Sequence, residues 1–319
     1  MSEVFGDRLL GAIRRKGTPI CVGIDPMFEM LPDDVAGAPG DRNANDYEAV
    51  IDAIYAFTTR VLKVVAPLVP VVKFQSAYFE KYLWEGVEAY YDLVQEASEL
   101  GLLVIGDVKR GDIGTTAAAY AAAHLADPPG GDADDVVVPD AITVNPMLGV
   151  DTLAPFVDTA REFGKGLFVL VRTSNPGSAQ FQDAKLEDGR TWSEALADAL
   201  RGVASGEGLV GGGGYSSVGA VVGATQPHTM RSLRKRLPQS FFLLPGYGAQ
   251  GATADMTREA FRDGRGALVS ASRSILYAHR EAKYADRFGD EWERCVEQAV
   301  VDMRDDLQRV LSGEGAGAA

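Results

Sequence analysis

The sequence is poor in the residues that build metal centres and disulfide frameworks. Its 319 residues include only two cysteines, Cys21 and Cys295, and three histidines, His124, His228 and His279. The cysteines fall in a predicted strand and a predicted helix, which favours reduced, packed thiols in a cytoplasmic protein. The histidines lack the spacing of metal ligands and are interpreted as ordinary helix positions. The sequence therefore predicts neither a metal site nor a disulfide.

Positive charge and long apolar runs are also scarce. Lys and Arg total 31 against 45 Asp and Glu, which gives a formal net charge of -14. Nucleic acids and anionic membrane surfaces bind basic proteins, so neither is an expected partner. No apolar run approaches the roughly 20 residues that cross a bilayer, and residues 1–5 lack the order of a signal peptide. We therefore expect a cytoplasmic protein with no membrane partner.

Short apolar runs, by contrast, recur along the whole chain. Eight of them are predicted as strands, at residues 19–25, 70–74, 102–109, 141–145, 166–171, 219–223, 240–244 and 266–270. They are continuously apolar, which is typical of parallel strands covered by helices, and each is followed by a predicted helix. This pattern predicts an α/β fold, a single-domain (β/α)8 TIM barrel over residues 1–319 with long surface loops and a C-terminal helix and tail.

Two glycine-containing segments lack the patterns of common nucleotide-binding loops. A doubly wound sheet, the alternative fold, usually has a Gly-rich dinucleotide turn after its first strand, and residues 23–26 (Gly-Ile-Asp-Pro) are not one. The four glycines at 211–214 lack the Lys-Ser/Thr of a P-loop and are interpreted as a source of flexibility. The first of these absences favours the barrel.

Polar side chains mark the ends of the predicted strands. They are Asp25, Lys73, Asp107, Lys109, Asn145, Ser174 and Arg273. Asp107 and Lys109 lie two residues apart and so share a face of their strand, and Asp112 follows in the next loop. Barrel enzymes build their active sites at the carboxyl ends of the strands. The sequence therefore predicts one shared polar site at this mouth of the barrel.

The loops after the seventh and eighth strands predict a phosphate site. Residues 245–251 (Pro-Gly-Tyr-Gly-Ala-Gln-Gly) contain glycines that let backbone N–H groups approach an anion closely. Arg273, directly after Ser272, offers a planar fork to phosphate oxygens. The same two loops bind phosphate in many TIM barrels.

Together these segments resemble the orotidine 5'-monophosphate decarboxylase family. The resemblance starts at the motif Asp107-x-Lys109-x-x-Asp112-Ile113, with Lys73 in the preceding strand. It continues with Asp25, Thr116, residues 174–177 (Ser-Asn-Pro-Gly), residues 245–250 and Arg273, and so spans nearly the whole barrel. The long loops are similar to those of the larger bacterial subgroup. Ser272 departs from the glycine of many relatives, but its backbone N–H remains for phosphate.

The resemblance implies decarboxylation of orotidine 5'-monophosphate to uridine 5'-monophosphate in de novo pyrimidine biosynthesis, without a metal or organic cofactor. Lys109 is then the proton donor to the C6 carbanion, a role that suits a lysine held between carboxylates. Asp107 lies against the substrate carboxylate, and Lys73 orients both Asp107 and a ribose hydroxyl.

The remaining implied roles concern binding and assembly. The implied substrate-binding residues are Asp25 at the ribose, Ser174 and Gln250 at the pyrimidine and phosphate, Arg273 at the phosphate, and Pro245 and Thr116. The resemblance places Asp112 and Thr116 in the neighbouring subunit's site, so it implies a homodimer with shared active sites.

Two alternatives stay open at this point. A metal-dependent sugar-phosphate lyase of the same barrel group shares the D-x-K-x-x-D strand but uses the acids to hold Mg²⁺; Lys73 and the loops at Ser174 and Gln250 argue against it. A non-catalytic phosphoribosyl-binding barrel, such as a sensor, is the second, and the complete Lys-Asp-Lys-Asp set argues against that.

Overall fold

A closed barrel of eight parallel strands forms the centre of the molecule. The computed structural model describes residues 3–127, 136–249 and 251–312. The strands are β1 (Ile20–Ile24), β2 (Val71–Phe74), β3 (Leu103–Arg110), β4 (Ala141–Val144), β5 (Gly166–Arg172), β6 (Val218–Val222), β7 (Phe242–Pro245) and β8 (Ala267–Ala271). Each pairs with the next along the chain, and β8 pairs with β1. The predicted (β/α)8 barrel is confirmed, with strand ends shifted by no more than two residues.

Helices surround the barrel. They are α1 (Phe5–Lys16), α2 (Asp33–Ala36), α3 (Tyr47–Val65), α4 (Ala77–Glu80), α5 (Leu83–Glu99), α6 (Gly114–Leu125), α7 (Ala154–Glu162), α8 (Ser178–Gln182), α9 (Trp192–Ala204), α10 (Pro227–Arg236), α11 (Ala254–Thr257), α12 (Arg273–Leu276), α13 (Ala282–Phe288) and α14 (Trp292–Leu311). Short 3-10 turns lie at Phe28–Met30, Val150–Leu153, Arg258–Ala260 and Ala278–Arg280. The long C-terminal helix that the sequence predicts is α14.

The strands are apolar along most of their length because both of their faces are buried there, and charged side chains such as Lys73 and Asp107 come near their carboxyl ends. In β1 and β2, Cys21 and Val71 point into the barrel, whereas Val22 and Val72 pack in the larger cluster beneath the helices. Removing both faces from water stabilises the barrel by about 25 cal/mol for each Å² of apolar surface. The continuous apolar runs in the sequence therefore reflect the burial of both faces of each strand in a parallel barrel.

Helix α1 closes the N-terminal end of the barrel. Its Phe5 side chain is fully buried and packs edge-to-face on Phe168 of β5, with ring centroids 6.3 Å apart. A Cβ atom at Gly166 would lie 2.2 Å from the Phe5 ring, so only glycine leaves room for this contact. With this end filled by apolar side chains, the polar site is left to the carboxyl ends of the strands.

The cysteines and histidines occupy the kinds of position that the sequence predicts. Cys21 and Cys295 are both free and buried, and burial raises the pKa of the Cys21 thiol to about 12. His124 and His228 lie in α6 and α10, while His279 lies in a 3-10 turn. No helix within the described ranges is both long enough and apolar enough to cross a membrane.

The glycine run at residues 211–214 does not serve simply as a flexible linker, so that interpretation is corrected. The backbone N–H groups of Gly212 and Gly213 each donate a 2.8 Å hydrogen bond to one carboxylate oxygen of Asp7 in α1. A Cβ atom at Gly211 would lie 2.4 Å from the same carboxylate. The run is a cradle for Asp7, and glycine is needed because the backbone approaches the acid so closely.

Arg234 links α10 by hydrogen bonds to the segments that precede β7 and β8. The side chain is buried, and its guanidinium donates hydrogen bonds of 2.7–2.8 Å to the carbonyl oxygens of Leu237, Ser240, Ala260 and Gly266. Its Cζ atom also lies 3.6 Å from the centroid of the Phe242 ring. Although burial lowers the pKa of Arg234 to about 10, the group stays charged at neutral pH.

Arg234→Met is expected to lower the free energy of unfolding by about 3 kcal/mol, because it keeps the apolar stem but leaves buried carbonyl groups without donors. Urea denaturation followed by circular dichroism measures this change. The matched control is Arg231→Met on the same helix, where an exposed arginine pairs with Glu259. Loss of that surface pair should change stability by less than about 1 kcal/mol; equal effects of the two variants would contradict the role given to Arg234.

Candidate active site

A cavity of about 470 Å³ opens at the carboxyl ends of the strands. Its lining includes Asp25, Lys73, Gln75, Tyr78, Asp107, Lys109, Thr143, Thr173, Ser174, Asn175, Pro245, Gly246, Tyr247, Ala249, Ser270, Ser272 and Arg273. Six of the eight strands contribute a polar side chain directly or through the loop that follows. The predicted residues Asp25, Lys73, Asp107, Lys109, Ser174 and Arg273 therefore line one cavity at this mouth of the barrel.

Asp107 lies at the floor of this cavity between two lysines. The Lys73 Nζ atom is 2.7 Å from Asp107 Oδ2, and the Lys109 Nζ atom is 2.6 Å from Asp107 Oδ1. The Lys73 and Asp107 side chains are only 8% and 11% exposed, whereas that of Lys109 is 44% exposed. Lys73 is therefore the more buried of the two lysines, and Lys109 is the one whose ammonium group is more open to the cavity.

Two further side chains fix the Asp107 carboxylate, and sequence reasoning missed both. The Thr143 hydroxyl donates to Asp107 Oδ1 at 2.8 Å and accepts the Lys109 backbone N–H at 3.0 Å. The Gln75 amide, oriented with its nitrogen toward Asp107, donates to Oδ2 at 2.7 Å. Gln75 directly follows β2 and Thr143 lies near the end of β4, and these positions at the carboxyl ends of apolar strands are the signal that could have identified them.

These partners keep the charges of the Lys73–Asp107 pair in place. Burial by itself would raise the pKa of Asp107, but Lys73 and Lys109 outweigh it and hold that pKa well below its usual range. Burial would likewise lower the pKa of Lys73, but Asp107 and Asp25 hold it above its usual range. A fixed negative charge is therefore present in the cavity at neutral pH.

The backbone at Lys109 is unusual for a strand residue. Its φ angle is +46°, and the pairing of β3 with β4 shifts register between Gly106 and Arg110. A left-handed conformation at a residue other than glycine is strained and is found mainly where function requires it. The bulge turns the Lys109 ammonium toward Asp107, and the hydrogen bond from its N–H to Thr143 holds the backbone in that conformation.

Asp25, which lines the cavity, has an unsatisfied acceptor. Its Oδ1 atom is buried and has no hydrogen-bond partner among the described residues. The Tyr277 hydroxyl fixes the adjoining backbone, because it donates to the Asp25 carbonyl oxygen at 3.0 Å and accepts the Met27 N–H at 2.7 Å. A buried carboxylate oxygen without a partner is costly, so a hydroxyl donor in the cavity is its expected complement.

Pro245 and Arg273 also line this cavity. The segment that follows β7, residues 246–249 and 251–252, is here called the β7 loop. Gly246, Tyr247 and Ala249 of this loop line the cavity beside Arg273 and Ser272. Gln250, another predicted binding residue, lies outside the described residues.

Three predicted polar residues do not line the cavity of their own chain. Asp112 and Thr116 lie beyond β3, where Asp112 Oδ1 accepts the Ile113 N–H at 2.8 Å and Thr116 is exposed in α6. Asn145 is exposed after β4, and its side-chain oxygen accepts the Met147 N–H at 3.0 Å. The structure therefore does not bring these residues together with Lys109.

Among the residues that the structure describes, metal-binding groups of the usual kind are not found near the cavity. Within the described part of the chain, no three His, Cys, Asp or Glu side chains are arranged to hold a metal ion. The carboxylates that line the cavity are Asp25 and Asp107, and the second of these is already engaged by two ammonium groups.

Comparison with known proteins identifies the family. The model of the orotidine 5'-phosphate decarboxylase / HUMPS family matches residues 18–288. Curated proteins named orotidine 5'-phosphate decarboxylase include one from Rhodopirellula baltica, 38% identical over 95% of this chain and 99% of its own, and one from Caldicellulosiruptor bescii, 39% identical over 97% and 99%. A solved structure from Streptomyces avermitilis, provisionally named orotidine 5'-phosphate decarboxylase, is 34% identical with a TM-score of 0.76 over 98% of this chain and 97% of that one. This chain belongs to the orotidine 5'-phosphate decarboxylase / HUMPS family.

Proposed function

We propose that this protein is a carboxy-lyase that converts orotidine 5'-monophosphate to uridine 5'-monophosphate and CO2, in de novo pyrimidine biosynthesis, without a metal or organic cofactor. The observation that carries the proposal is the Asp107 carboxylate held between the Lys73 and Lys109 ammonium groups at the floor of the cavity. Family membership and the names of the curated relatives support it.

Lys109 is the proposed proton donor. Loss of CO2 breaks the bond between C6 of the pyrimidine and its carboxylate, and the electron pair of that bond stays on C6. The Lys109 ammonium then donates a proton to C6, and the neutral amine regains a proton from water. Exposure of the Lys109 side chain to the cavity, and its anchoring on Asp107, support this role.

Asp107 is proposed to act on the substrate carboxylate. Because its negative charge is fixed by four donors, it cannot easily turn away from a second carboxylate placed against it. Repulsion between the two carboxylates raises the energy of the bound substrate and is relieved as CO2 leaves. The flanking ammonium groups meanwhile stabilise the carbanion, so the charges favour the transition state without having to reorganise.

The rest of the cavity supports binding of a nucleoside monophosphate. Asp25 and Lys73 are proposed to bind ribose hydroxyls, a role that the unpartnered Oδ1 of Asp25 and the position of both residues in the cavity lining support. Arg273 and the β7 loop are proposed to bind the phosphate, with Pro245 and Gln250 at that end and Ser174 at the pyrimidine. Binding energy from the phosphate, far from C6, can then be used to align the ring that reacts.

We further propose a homodimer in which Asp112 and Thr116 complete the partner's site. The β3 and β4 loops lie side by side, because the Asn145 N–H donates to the Arg110 carbonyl at 2.8 Å. Ile113, Met147 and Leu148 on these loops are 61%, 69% and 58% exposed. Large apolar side chains gathered beside two polar residues that do not reach their own cavity support a protein interface there.

An assay of the purified protein with orotidine 5'-monophosphate tests the proposal. We expect the ultraviolet absorbance of the pyrimidine to change as the substrate is consumed, and the rate to be unchanged after exhaustive EDTA treatment. Loss of activity on chelation with rescue by Mg²⁺ would favour a sugar-phosphate lyase of the same barrel group. Binding of uridine 5'-monophosphate without turnover of the substrate would instead favour a non-catalytic phosphoribosyl-binding barrel.

A further inference from the structure

The β7 loop lies between two cavities and contributes lining residues to both. Its inner side lines the active-site cavity, whereas its outer side faces a second cavity of about 850 Å³ that Tyr247, Gly248, Ala249 and Gly251 help to line. Packed side chains normally hold a loop in one position, and apart from Tyr247 and the buried Ala252 this loop has open space on both sides. Some other contact must therefore keep it where a phosphate can reach it.

The backbone of the β7 loop is intrinsically permissive. Gly246, Gly248 and Gly251 have φ angles of +110°, +70° and +83°, a region that glycine enters freely. Within the loop, the Gly248 N–H donates to the Ala252 carbonyl at 3.0 Å and the Ala252 N–H donates to the Gly246 carbonyl at 3.3 Å. These bonds close a small turn, but they do not fix the turn to the rest of the barrel.

One side chain of the loop reaches a rigid element. Tyr247 is half-buried against the main core, and its hydroxyl donates to Asp306 Oδ2 at 3.0 Å. Among the described residues this is the loop's only side-chain hydrogen bond. Asp306 lies on the C-terminal helix α14, and its other carboxylate oxygen accepts from Arg309, one turn further along the helix, at 3.1 Å. Both oxygens of Asp306 therefore have donors.

Helix α14 is a firm anchor. It is 20 residues long, and its buried face, which includes Trp292, Val296, Val300, Met303 and Leu307, packs against α3 and α13. A helix held by so many buried apolar side chains moves much less than a glycine-rich loop. Because α14 is held firmly, the hydrogen bond from Tyr247 to Asp306 restrains the position of Tyr247.

We propose that Asp306 is a positioning residue for the phosphate end of the active site, which it holds in place through Tyr247. This inference rests on the proposed function, since it takes the β7 loop as part of the phosphate site. Asp306 does not touch the substrate. By fixing Tyr247, it limits the positions that the β7 loop can take beside Arg273, so less conformational freedom has to be lost when the phosphate binds.

Kinetics of Tyr247→Phe and Asp306→Ala in the full-length protein test this inference. Each variant should raise KM for orotidine 5'-monophosphate roughly tenfold and change kcat less than about threefold, because a hydrogen bond to a carboxylate is worth about one factor of ten in affinity. The double variant should be no worse than either single variant, because both remove the same contact. Inhibition by uridine 5'-monophosphate should weaken equally, whereas inhibition by uridine, which lacks the phosphate, should be unchanged.

The chain offers a matched control in Tyr284→Phe. The Tyr284 hydroxyl donates to Asp302 Oδ2 on the same helix at 3.0 Å and lines the second cavity, but Tyr284 does not line the first. This control should leave KM and kcat unchanged. An unchanged KM in Tyr247→Phe, additive effects in the double variant, equal loss of uridine binding, or an equal effect of Tyr284→Phe would each overturn the assignment.

Amide hydrogen exchange separates this inference from the proposed function because it needs no substrate. Exchange of the β7 loop amides should accelerate in Tyr247→Phe and Asp306→Ala but not in Tyr284→Phe. If the wild-type protein fails to turn over orotidine 5'-monophosphate, the proposed function fails, and the exchange rates still decide whether Asp306 fixes the loop. Unchanged exchange in both Tyr247→Phe and Asp306→Ala would overturn the inference independently of any activity.

Discussion

Lys109→Ala is expected to reduce kcat for orotidine 5'-monophosphate by about 10⁴-fold or more while leaving the affinity for uridine 5'-monophosphate within about tenfold of wild type. The variant removes the proton donor and also one of the two positive charges beside the developing carbanion. Both act on charge that is present only in the transition state, so turnover suffers far more than binding of the product. Steady-state kinetics and titration calorimetry on the same preparation measure the two quantities.

Lys73→Ala gives the contrast that makes this result specific. Lys73 is buried and bonded to Asp107, so its loss leaves a carboxylate with little solvent access and one fewer donor. We therefore expect Lys73→Ala to weaken product binding and to lower thermal stability as well as turnover. If Lys109→Ala turned over substrate at near wild-type rate, Lys109 would not be the donor. If it lost product binding as severely as turnover, its role would be in binding.

The barrel and the residues at its mouth were predictable from the sequence because each depends on local order. A buried strand shows as an apolar run, and a polar side chain directly after it, such as Asp25 or Lys73, must emerge at the carboxyl end of that strand. All such ends meet at one mouth in a parallel barrel. The location of these residues at the mouth of the barrel therefore followed from their positions in the sequence alone.

Contacts between distant segments were not predictable in the same way. Thr143 supports Asp107 only because β4 is adjacent to β3 with a particular register, and the shift of register at Lys109 is not visible as a pattern. The glycines at 211–214 looked like a flexible segment because their partner, Asp7, lies about two hundred residues earlier. The hydrogen bond between Tyr247 and Asp306 is another contact of this kind, because nothing in the sequence around either residue indicates that the two meet.

Shared active sites predict that two inactive variants can restore each other. If Asp112 serves the partner's site, homodimers of Lys109→Ala and of Asp112→Ala each have two broken sites. In a mixed dimer, one site collects both lesions and the other combines an intact Lys109 with an intact Asp112. Equal mixing makes half of the dimers mixed, so about a quarter of wild-type activity should return in a two-fold symmetric dimer. Activity is measured after subunit exchange in mild denaturant, with wild type taken through the same steps.

Mixing Lys109→Ala with Asp107→Ala is the matched control for this experiment. The Lys109 Nζ atom lies 2.6 Å from Asp107 Oδ1 within one chain, so these two residues belong to the same site. Every site of that mixed dimer still carries one lesion in its own chain, and no activity should return. Both parents must first be folded and nearly inactive. Recovery in the first mixture and not in the second requires Asp112 to act across the subunit interface, whereas two equally inactive mixtures would show that Asp112 acts within its own chain.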